Sequence, residues 1–315
     1  MKSVGKQNEL VNAAAFDPHK FEAGHSDPRL AEYLKEFPPA TFSERLYQSI
    51  ELMERYSIEL AVDLLGRLNV VEQLGAWLSA DELCRVFCFQ PRFRLALQWI
   101  LARLVDTGCV EAQGDGKSCA YRLRKTLWQP DLKRLRALGL DIDPANAATL
   151  DLLDHAAGLY PAVATGRQSG DQNLFGPQGI PLWLNYFHND NLTYAVNNWV
   201  GAGVAVDRLP TRRTLKILDV GAGTGSATEI FLKLLDQRGF LRRIERYLIT
   251  EPNPYFRRCN QRKVAAQHPN LHLDWATLDI DLPWSAQGIV PGEFDLVYGV
   301  GNACDPTMIN QSIRN

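Results

Sequence analysis

The segment ILDVGAGTGSATEIF, residues 217–231, decides the fold of the second half of the chain. An apolar run ends at Val220, glycines follow at positions 221, 223 and 225, and an amphipathic run begins at Ala227. Dinucleotide-binding turns space their glycines as G-x-G-x-x-G, so that backbone amides and a helix N-terminus meet a pyrophosphate. Here the third glycine comes one position earlier. The spacing predicts a bend whose backbone lies against an uncharged nucleoside and its amino-acid tail.

Apolar runs and helical patterns alternate through the rest of this half. The continuous apolar run at 215–220 is typical of a central parallel strand, and the alternation predicts a doubly wound α/β, Rossmann-like sheet. The predicted order is strand 215–220, helix 227–235, strand 247–250, helix 253–267, strand 271–275 and strand 294–300.

Acidic residues follow the second and third predicted strands. Glu251 closes the apolar run of RYLITEPNP, where a carboxylate can accept hydrogen bonds from both hydroxyls of a ribose. The alternative for Glu251 is a solvated carboxylate that caps the next helix. Asp279, in WATLDIDLPW, is placed to contact the base, with Ile280 or Trp284 against the ring. Asp274 and Asp281 remain alternatives to Asp279.

These signals in this order resemble the class I S-adenosylmethionine-dependent methyltransferases, which carry D-x-G-x-G-x-G after strand one, an acid after strand two and an aspartate after strand three. The resemblance implies that the glycines line the methionine and ribose, that Glu251 binds the ribose hydroxyls, and that Asp279 lies near the adenine amine. The cofactor implied is S-adenosyl-L-methionine. The residues expected to bind it are Asp219, Gly221, Ala222, Gly223, Gly225, Glu251, Pro252, Leu278, Asp279, Ile280 and Tyr298.

Members of that class have a sheet of seven strands, whereas the sequence shows patterns for four. After Tyr298 the chain continues as GVGNACDPTMINQSIRN, which is polar and has no period. We therefore expect a truncated methyltransferase domain with an incomplete sheet. Its fourth strand would be an exposed apolar edge or would be covered by a partner.

The first half of the chain predicts a mainly helical domain. Residues 42–68 have a helical pattern with a break expected near Ser57, and Ser79 with Glu82 has the spacing of a capping box. A further helix before Gly108 and two short strands with a glycine tip at 114–116 complete a winged-helix order. This run resembles the winged-helix dimerisation domain of small-molecule O-methyltransferases, and it implies a homodimer.

A winged helix can bind DNA through its third helix, which needs a polar and basic face. The third predicted helix, with Pro91 in its first turn and Gly108 at its end, is apolar nearly all round and predicts a buried packing or dimerisation element. Its only polar residues toward a partner are Arg92, Arg94, Gln98 and Arg103.

The predicted organisation has four parts. Residues 1–40 form an arm, 41–128 the winged-helix-like domain, 129–210 a helical connector and lid, and 211–315 the donor-binding domain. Aromatic rings attract a sulfonium cation, so the aromatic and amide side chains ahead of the glycine motif predict a lid over donor and acceptor. The lid or acceptor residues expected are Trp183, Tyr186, Phe187, Tyr194, Asn197 and Asn198.

His188 is the candidate general base, because an imidazole titrates near neutral pH and this one lies among the predicted lid aromatics. The alternative is a hinge or surface histidine without a role in catalysis. Related O-methyltransferases draw their catalytic histidine from a segment after strand four or five, and the sequence shows no such segment.

Composition excludes several function classes. Hydrophobic residues make up 46% and charged residues 22%, and the net charge is -2, which gives no preference for nucleic acid or anionic membrane. The six cysteines are scattered without the spacing of a zinc site, so we expect reduced cysteines and no metal. No signal peptide or membrane-length apolar run is present, which predicts a cytoplasmic protein.

The function predicted is methyl transfer from S-adenosylmethionine to an oxygen or carbon of a small metabolite, of polyketide-like or aromatic type. Two alternatives stay open. One is a catalytically silent protein that binds the donor or dimerises, and the other is a winged-helix regulator with a ligand-sensing domain, which the apolar third helix disfavours.

Overall fold

The computed structural model of the chain describes residues 37–210 and 213–301, and it divides them into two units. The first unit comprises residues 43–186, and the second comprises residues 37–42 and 187–301. The boundary expected at residue 210 falls inside the second unit. Residues 1–36 of the expected arm, and Cys304, lie outside the described residues.

The first unit is built around a long helix, α1, which buries one face of apolar side chains that recur at three- and four-residue steps. A small antiparallel sheet of order β1-β3-β2 packs in the same unit. The helices are α1 (Glu44–Arg67), α2 (Ala80–Val86), α3 (Arg94–Asp106), α4 (Leu132–Ile142), α5 (Ala147–Ala164), α6 (Gly170–Leu174) and α7 (Gly179–Tyr186), and the strands are β1 (Leu78–Ser79), β2 (Val110–Gln113) and β3 (Ala120–Leu123).

The capping box predicted at the start of α2 and the glycine tip predicted for the β2–β3 hairpin are present in the structure. The Ser79 hydroxyl accepts from the Glu82 amide, and the Glu82 carboxylate accepts from the Ser79 amide, which forms the capping box. Gly114 and Gly116 have φ of 87° and 52° at the hairpin tip, a conformation that glycine adopts without strain.

One expectation for the first unit is wrong, and a second, the burial of α3, holds on one face only. The break near Ser57 does not occur, because α1 is continuous and the Ser57 hydroxyl donates back to the Met53 carbonyl at 2.8 Å. Helix α3 is not buried all round. It buries the face carrying Leu97 and Leu101, whereas Leu95 and Trp99 on the opposite side are 62% and 55% exposed.

The second unit contains a parallel sheet of order β6-β5-β4-β7. The apolar strand β4 has partners on both sides, as its unbroken hydrophobic run predicts. The strands are β4 (Leu215–Asp219), β5 (Ile244–Thr250), β6 (Asp274–Ala276) and β7 (Leu296–Tyr298), and the helices are α8 (Leu192–Asp207), α9 (Ser226–Gln237) and α10 (Pro254–Gln267).

Successive side chains of β4 enter cores on opposite faces of this sheet, as the two-residue repeat of a strand requires. Ile217 packs in a cluster with Phe231 of α9, and Leu218 packs in a separate cluster with Leu248 and Trp284. Both faces of β4 are therefore covered, whereas Val297 on the edge strand β7 is 40% exposed.

The described helices include none that is both long enough and apolar enough to pass through a membrane. Within the same residues, no group of three or more histidine, cysteine or acidic side chains has an arrangement that could hold a metal ion.

Candidate functional site

The predicted donor-binding residues follow the carboxyl ends of β4, β5 and β6. Because these strands are parallel and adjacent, their carboxyl ends share one edge of the sheet. The segments involved are residues 220–225, which we call the glycine segment, residues 251–253 after β5, and residues 277–282 after β6.

The glycine segment depends on conformations that other residues rarely adopt. Gly221, Gly223 and Gly225 have φ of 62°, 56° and 89°, in the left-handed region where a Cβ is disfavoured. The Ala222 amide donates to the Thr250 carbonyl at 2.9 Å and so ties the segment to the end of β5. A Cβ on Gly223 would meet no atom within 4 Å, so open space adjoins the backbone there. This side of the Gly223 backbone is therefore open to a ligand.

Glu251 is in direct contact with this segment. One carboxylate oxygen accepts from the Gly223 amide at 2.9 Å, and the other accepts from the Asn253 amide at 2.8 Å. Burial raises the pKa of Glu251, while these two backbone hydrogen bonds oppose the shift. Each carboxylate oxygen retains further acceptor capacity. The structure thus brings two predicted parts of the site together, with acceptors left for two hydroxyl groups.

The helix-capping alternative for Glu251 is not what the structure shows. The N-cap of α10 is Asn253, whose side chain accepts from the amides of Tyr255 and Phe256. Pro252, also expected at the site, is exposed between Glu251 and this cap.

Asp219 lies at the end of β4 with its carboxylate turned into the protein. One oxygen accepts from the Thr228 hydroxyl at 2.7 Å and from the Tyr247 hydroxyl at 3.0 Å. The Thr250 hydroxyl donates to its backbone carbonyl at 2.8 Å. Burial raises the pKa of Asp219 to about 6 although both hydroxyl donors lower it. Asp219 therefore braces the bend against α9 and β5.

The segment after β6 holds Leu278 buried, Ile280 half-buried and Asp279 exposed. Gln287, which the sequence did not single out, fixes it. The Asp279 amide donates to Gln287 Oε1 at 2.8 Å, and Gln287 Nε2 donates to the Asp279 carbonyl at 2.7 Å. The Asp279 carboxylate accepts from the Asp281 amide at 3.0 Å, which closes the turn.

The two alternatives to Asp279 differ in position. Asp274 begins β6, at the end of the strand away from this edge, and it pairs with Arg246 at 3.3 Å. Asp281 is exposed within the turn and lies two residues further from the strand. Of the three aspartates, Asp279 is the first that follows β6 at the edge where the glycine segment lies, three residues after Ala276.

Tyr298, the last residue of β7, is buried in the core. Its ring stacks on Phe231 with centroids 4.3 Å apart, and its hydroxyl lies 3.4 Å from the Ala227 carbonyl of α9. Burial raises the pKa of Tyr298 well above its usual value. The side chain supports the start of α9, where the glycine segment ends.

The expected lid residues fall on both sides of the boundary between the units. In the first unit, Trp183 stacks on Phe175 with centroids 5.7 Å apart and meets Tyr186 edge-on. In the second unit, the Phe187 carbonyl accepts from the hydroxyls of Thr224, at 3.2 Å, and Ser226. Phe187 is thus attached to the glycine segment and to the first residue of α9.

The Phe187 ring also joins two helices of the second unit. Its centroid lies 5.3 Å from that of Tyr194 on α8 and 6.1 Å from that of Phe256 on α10. The backbone contact and the ring contacts together hold residue 187 beside the glycine segment.

A polar network that the sequence did not reveal extends this attachment. Asn189 Nδ2 donates to the Glu229 carboxylate at 3.1 Å, and Lys263 Nζ lies 2.6 Å from the same carboxylate. Gln267 Nε2 donates to its other oxygen at 2.9 Å. Asn198, fully buried on α8, donates to Asn189 Oδ1 at 3.0 Å. Glu229 therefore links residues 187–191 to α9 and α10.

His188 is placed at the surface. Its side chain is 56% exposed, and Nδ1 lies 3.2 Å from the Asp190 carboxylate, which is itself 88% exposed. Asn197, another expected acceptor residue, is also exposed. The role of His188 as a base stays a prediction.

No family model matches the chain. The polyketide synthase ThaQ of Burkholderia thailandensis is 29% identical to it over 252 residues, which are 74% of this chain and 12% of ThaQ. The non-reducing polyketide synthase dpmpA of Macrophomina phaseolina is 25% identical over 299 residues, which are 89% of this chain and 13% of that protein. The chain spans only a small part of these curated relatives.

Three solved structures share the fold. The CurJ carbon methyltransferase has a TM-score of 0.62 and 22% identity, over 86% of this chain and 69% of CurJ. The DszA carbon methyltransferase has a TM-score of 0.61 and 23% identity, over 88% and 71%. The CMeT domain of the citrinin polyketide synthase has a TM-score of 0.53 and 18% identity, over 83% and 70%. The resemblance to methyltransferases drawn from the sequence is confirmed at the level of the fold.

Proposed function

We propose that this chain, which has the carbon methyltransferase fold, moves a methyl group from S-adenosylmethionine to a carbon or oxygen of a small metabolite. The observation that carries the proposal is the hydrogen bond from the Gly223 amide to the Glu251 carboxylate at 2.9 Å. It joins the bend after β4 to the acid after β5, at the shared edge of the parallel sheet.

The residues of this chain have distinct proposed roles. Gly221, Gly223 and Gly225 give the donor close access to backbone, and Glu251 accepts from its ribose hydroxyls. Asp279, with Leu278 and Ile280, receives the base. S-adenosylmethionine supplies an electrophilic methyl group on a sulfonium sulfur, so the protein has mainly to align the reactants and exclude water.

Within the wider class of acceptors, we propose a carbon atom of a polyketide chain. The relatives described above are polyketide synthases, and the structures with this fold include carbon methyltransferases. A polyketide carries carbonyl groups on alternate carbons, and the carbon between two carbonyls loses a proton readily. Methylation there needs a base to take that proton, and His188 is the candidate; its Nδ1 accepts from the Asp190 amide at 3.3 Å, so the donor and acceptor would have to displace this contact.

The first unit is proposed as a winged-helix-like dimerisation domain and the whole protein as a cytoplasmic homodimer. The exposed Leu95 and Trp99 on α3 support a self-association surface, because a partner would remove them from water.

A second function, donor binding without turnover, is favoured by the surface position of His188. Incubation with S-adenosylmethionine and a β-ketoacyl thioester, followed by mass spectrometry, separates the two functions. A product heavier by one methylene unit supports the enzyme, and its absence with intact donor binding supports the silent protein. Turnover that is unchanged in His188→Ala would remove His188 from catalysis.

Calorimetry with S-adenosylhomocysteine tests the donor site itself. We expect the wild-type protein to bind and Glu251→Ala to bind at least about tenfold more weakly, because hydrogen bonds to a charged group are lost. Glu245→Ala is the matched control, since Glu245 is an exposed acid near the other end of the same strand, and its affinity should not change. Absence of wild-type binding at high micromolar concentration would contradict the proposed function.

A further inference from the structure

Asn260, on α10, carries two polar atoms without a hydrogen-bond partner among the residues that the structure describes. The residue is 0% exposed, and both its amide nitrogen Nδ2 and its carbonyl oxygen Oδ1 are unpaired. Burial of an amide without a partner is unfavourable, whereas burial of a leucine of similar size is favourable. Packing alone therefore does not explain an asparagine at this position.

The Asn260 carboxamide lies against the last glycine of the glycine segment. A Cβ on Gly225 would come within 2.4 Å of Asn260 Oδ1 and 2.6 Å of Cγ, so a side chain at residue 225 would require the Asn260 carboxamide to move. The positive φ of Gly225 independently disfavours a side chain. Asn260 thus fills the space that a side chain on Gly225 would take.

Gly225 is also the N-cap residue of α9, and it gives that helix no side-chain hydrogen bond. The first amides of a helix have no partner within the helix and favour a polar acceptor nearby. The unpaired Asn260 carboxamide lies beside the point where a capping side chain would begin, at the corner between the glycine segment and the twelve-residue helix α9.

We infer that Asn260 is a positioning residue for the donor site, an inference that rests on the proposed function. Its carboxamide packs against Gly225, and its unpaired atoms gain partners from the surrounding backbone when the donor is bound. The Asn260 carboxamide is then without hydrogen-bond partners in the free protein and has them in the bound protein. Satisfying the Asn260 carboxamide on binding lowers the free energy of the bound state relative to the free state. The affinity for the donor therefore includes this contribution.

Replacement of Asn260 by leucine separates this role from simple packing. Asn260→Leu keeps the size of the side chain and removes both unpaired atoms, and Gln261→Leu makes the same amide-to-leucine change at the next position, which is exposed. For each protein, the midpoint of urea unfolding is measured without ligand, and the affinity for S-adenosylhomocysteine is measured by calorimetry. We expect Asn260→Leu to unfold at the same or higher urea concentration and to bind about tenfold more weakly. Gln261→Leu should bind as the wild type does.

Unchanged affinity in Asn260→Leu, with normal wild-type binding, overturns the role of Asn260 and leaves the proposed function standing. Absence of binding by the wild type contradicts the proposed function instead. If Asn260→Leu fails to fold, Asn260→Ala takes its place, since it removes the same polar atoms without filling the space. Wild-type affinity in the alanine variant overturns the inference equally.

Discussion

Asp219, a residue of the glycine motif, supports the candidate donor site through buried hydrogen bonds. It is buried, and its carboxylate is satisfied by hydroxyl groups of α9 and β5. The pKa is about 6 in the folded chain, against an ordinary value of 3.8, because burial disfavours the ionised form. Ionisation of Asp219 is therefore a cost to the folded state at neutral pH.

This shift predicts a dependence of stability on pH that Asp219→Asn should abolish. Between pH 4 and 6 the folded state holds a proton that the unfolded state has released, so the contribution of Asp219 to stability is present at low pH and lost as the pH rises through about 6. We expect the free energy of unfolding of the wild type, relative to Asp219→Asn, to fall by about 2 kcal/mol from pH 4 to pH 7. Urea unfolding at several pH values measures this difference.

Asp236→Asn is the control for this experiment, because Asp236 is exposed on α9. The free energy of unfolding of Asp236→Asn should differ from that of the wild type by a nearly constant amount between pH 4 and pH 7. Parallel pH curves for the wild type and Asp219→Asn would show that the Asp219 carboxylate is not perturbed in the folded chain.

At the scale of elements, the bend after β4 could be predicted because its conformation is local. Alternating glycines permit positive φ wherever they occur, and a buried strand before them fixes the direction of the chain. The break expected near Ser57 was wrong for a related reason. A serine can remain inside a helix when its hydroxyl returns to the preceding turn, and the sequence alone does not show which choice is made.

Contacts between distant elements could not be read from the sequence. Glu229 has an ordinary helical environment in the local pattern, yet it joins Asn189 and Lys263 from two other segments. Gln287 pairs with both backbone groups of Asp279 from a short 3-10 turn, Trp284–Gln287. Tertiary packing determines such partners. It brings together residues that are far apart in the sequence, and their spacing along the chain does not predict the contact.

Helix α1 contains a buried ion pair whose contribution to the stability of the first unit can be measured. Arg55 and Glu59 are one turn apart with side chains 0% exposed, and the Arg55 guanidinium lies 5.1 Å from the ring centre of Trp128. Among the described residues, Arg55 Nε and Nη1 and one oxygen of Glu59 lack hydrogen-bond partners. The pair is therefore fully desolvated and incompletely satisfied.

Removal of one member should be far more harmful than removal of both. We expect Glu59→Leu alone to lower the free energy of unfolding by about 3 to 5 kcal/mol, because it leaves a buried charge unpaired. The double variant Arg55→Met/Glu59→Leu should be as stable as the wild type or more stable by about 1 to 4 kcal/mol. Chemical unfolding of Arg55→Met, Glu59→Leu and the double variant measures the coupling between the two side chains.

The exposed pair Asp63 and Arg67 on the same helix gives a matched control, with side chains 33% and 40% exposed. Arg67→Ala should change the stability by less than about 1 kcal/mol. A double variant at positions 55 and 59 that is as unstable as Glu59→Leu would contradict the expectation, since it would show that both side chains contribute by packing.

At the scale of the whole molecule, the two units have separate hydrophobic cores. The glycine segment, Glu251, Asp279 and residues 187–191 all belong to the second unit. Amides of the first unit can therefore serve as a reference for changes that a ligand causes in the second unit.

Hydrogen exchange with and without S-adenosylhomocysteine should show this division. We expect slower exchange on ligand addition in residues 220–229 and 251–256, because the ligand stabilises the conformation that carries the Glu251 contact. Residues 187–198 should be protected with them, since Phe187 and Asn189 are bonded to the same segment. Peptides from α3 in the first unit serve as the internal reference and should not change. Protection of the glycine segment with unchanged exchange at 187–198 would show that this stretch is not part of a closing lid, because a lid that orders over the donor must slow the exchange of its own amides.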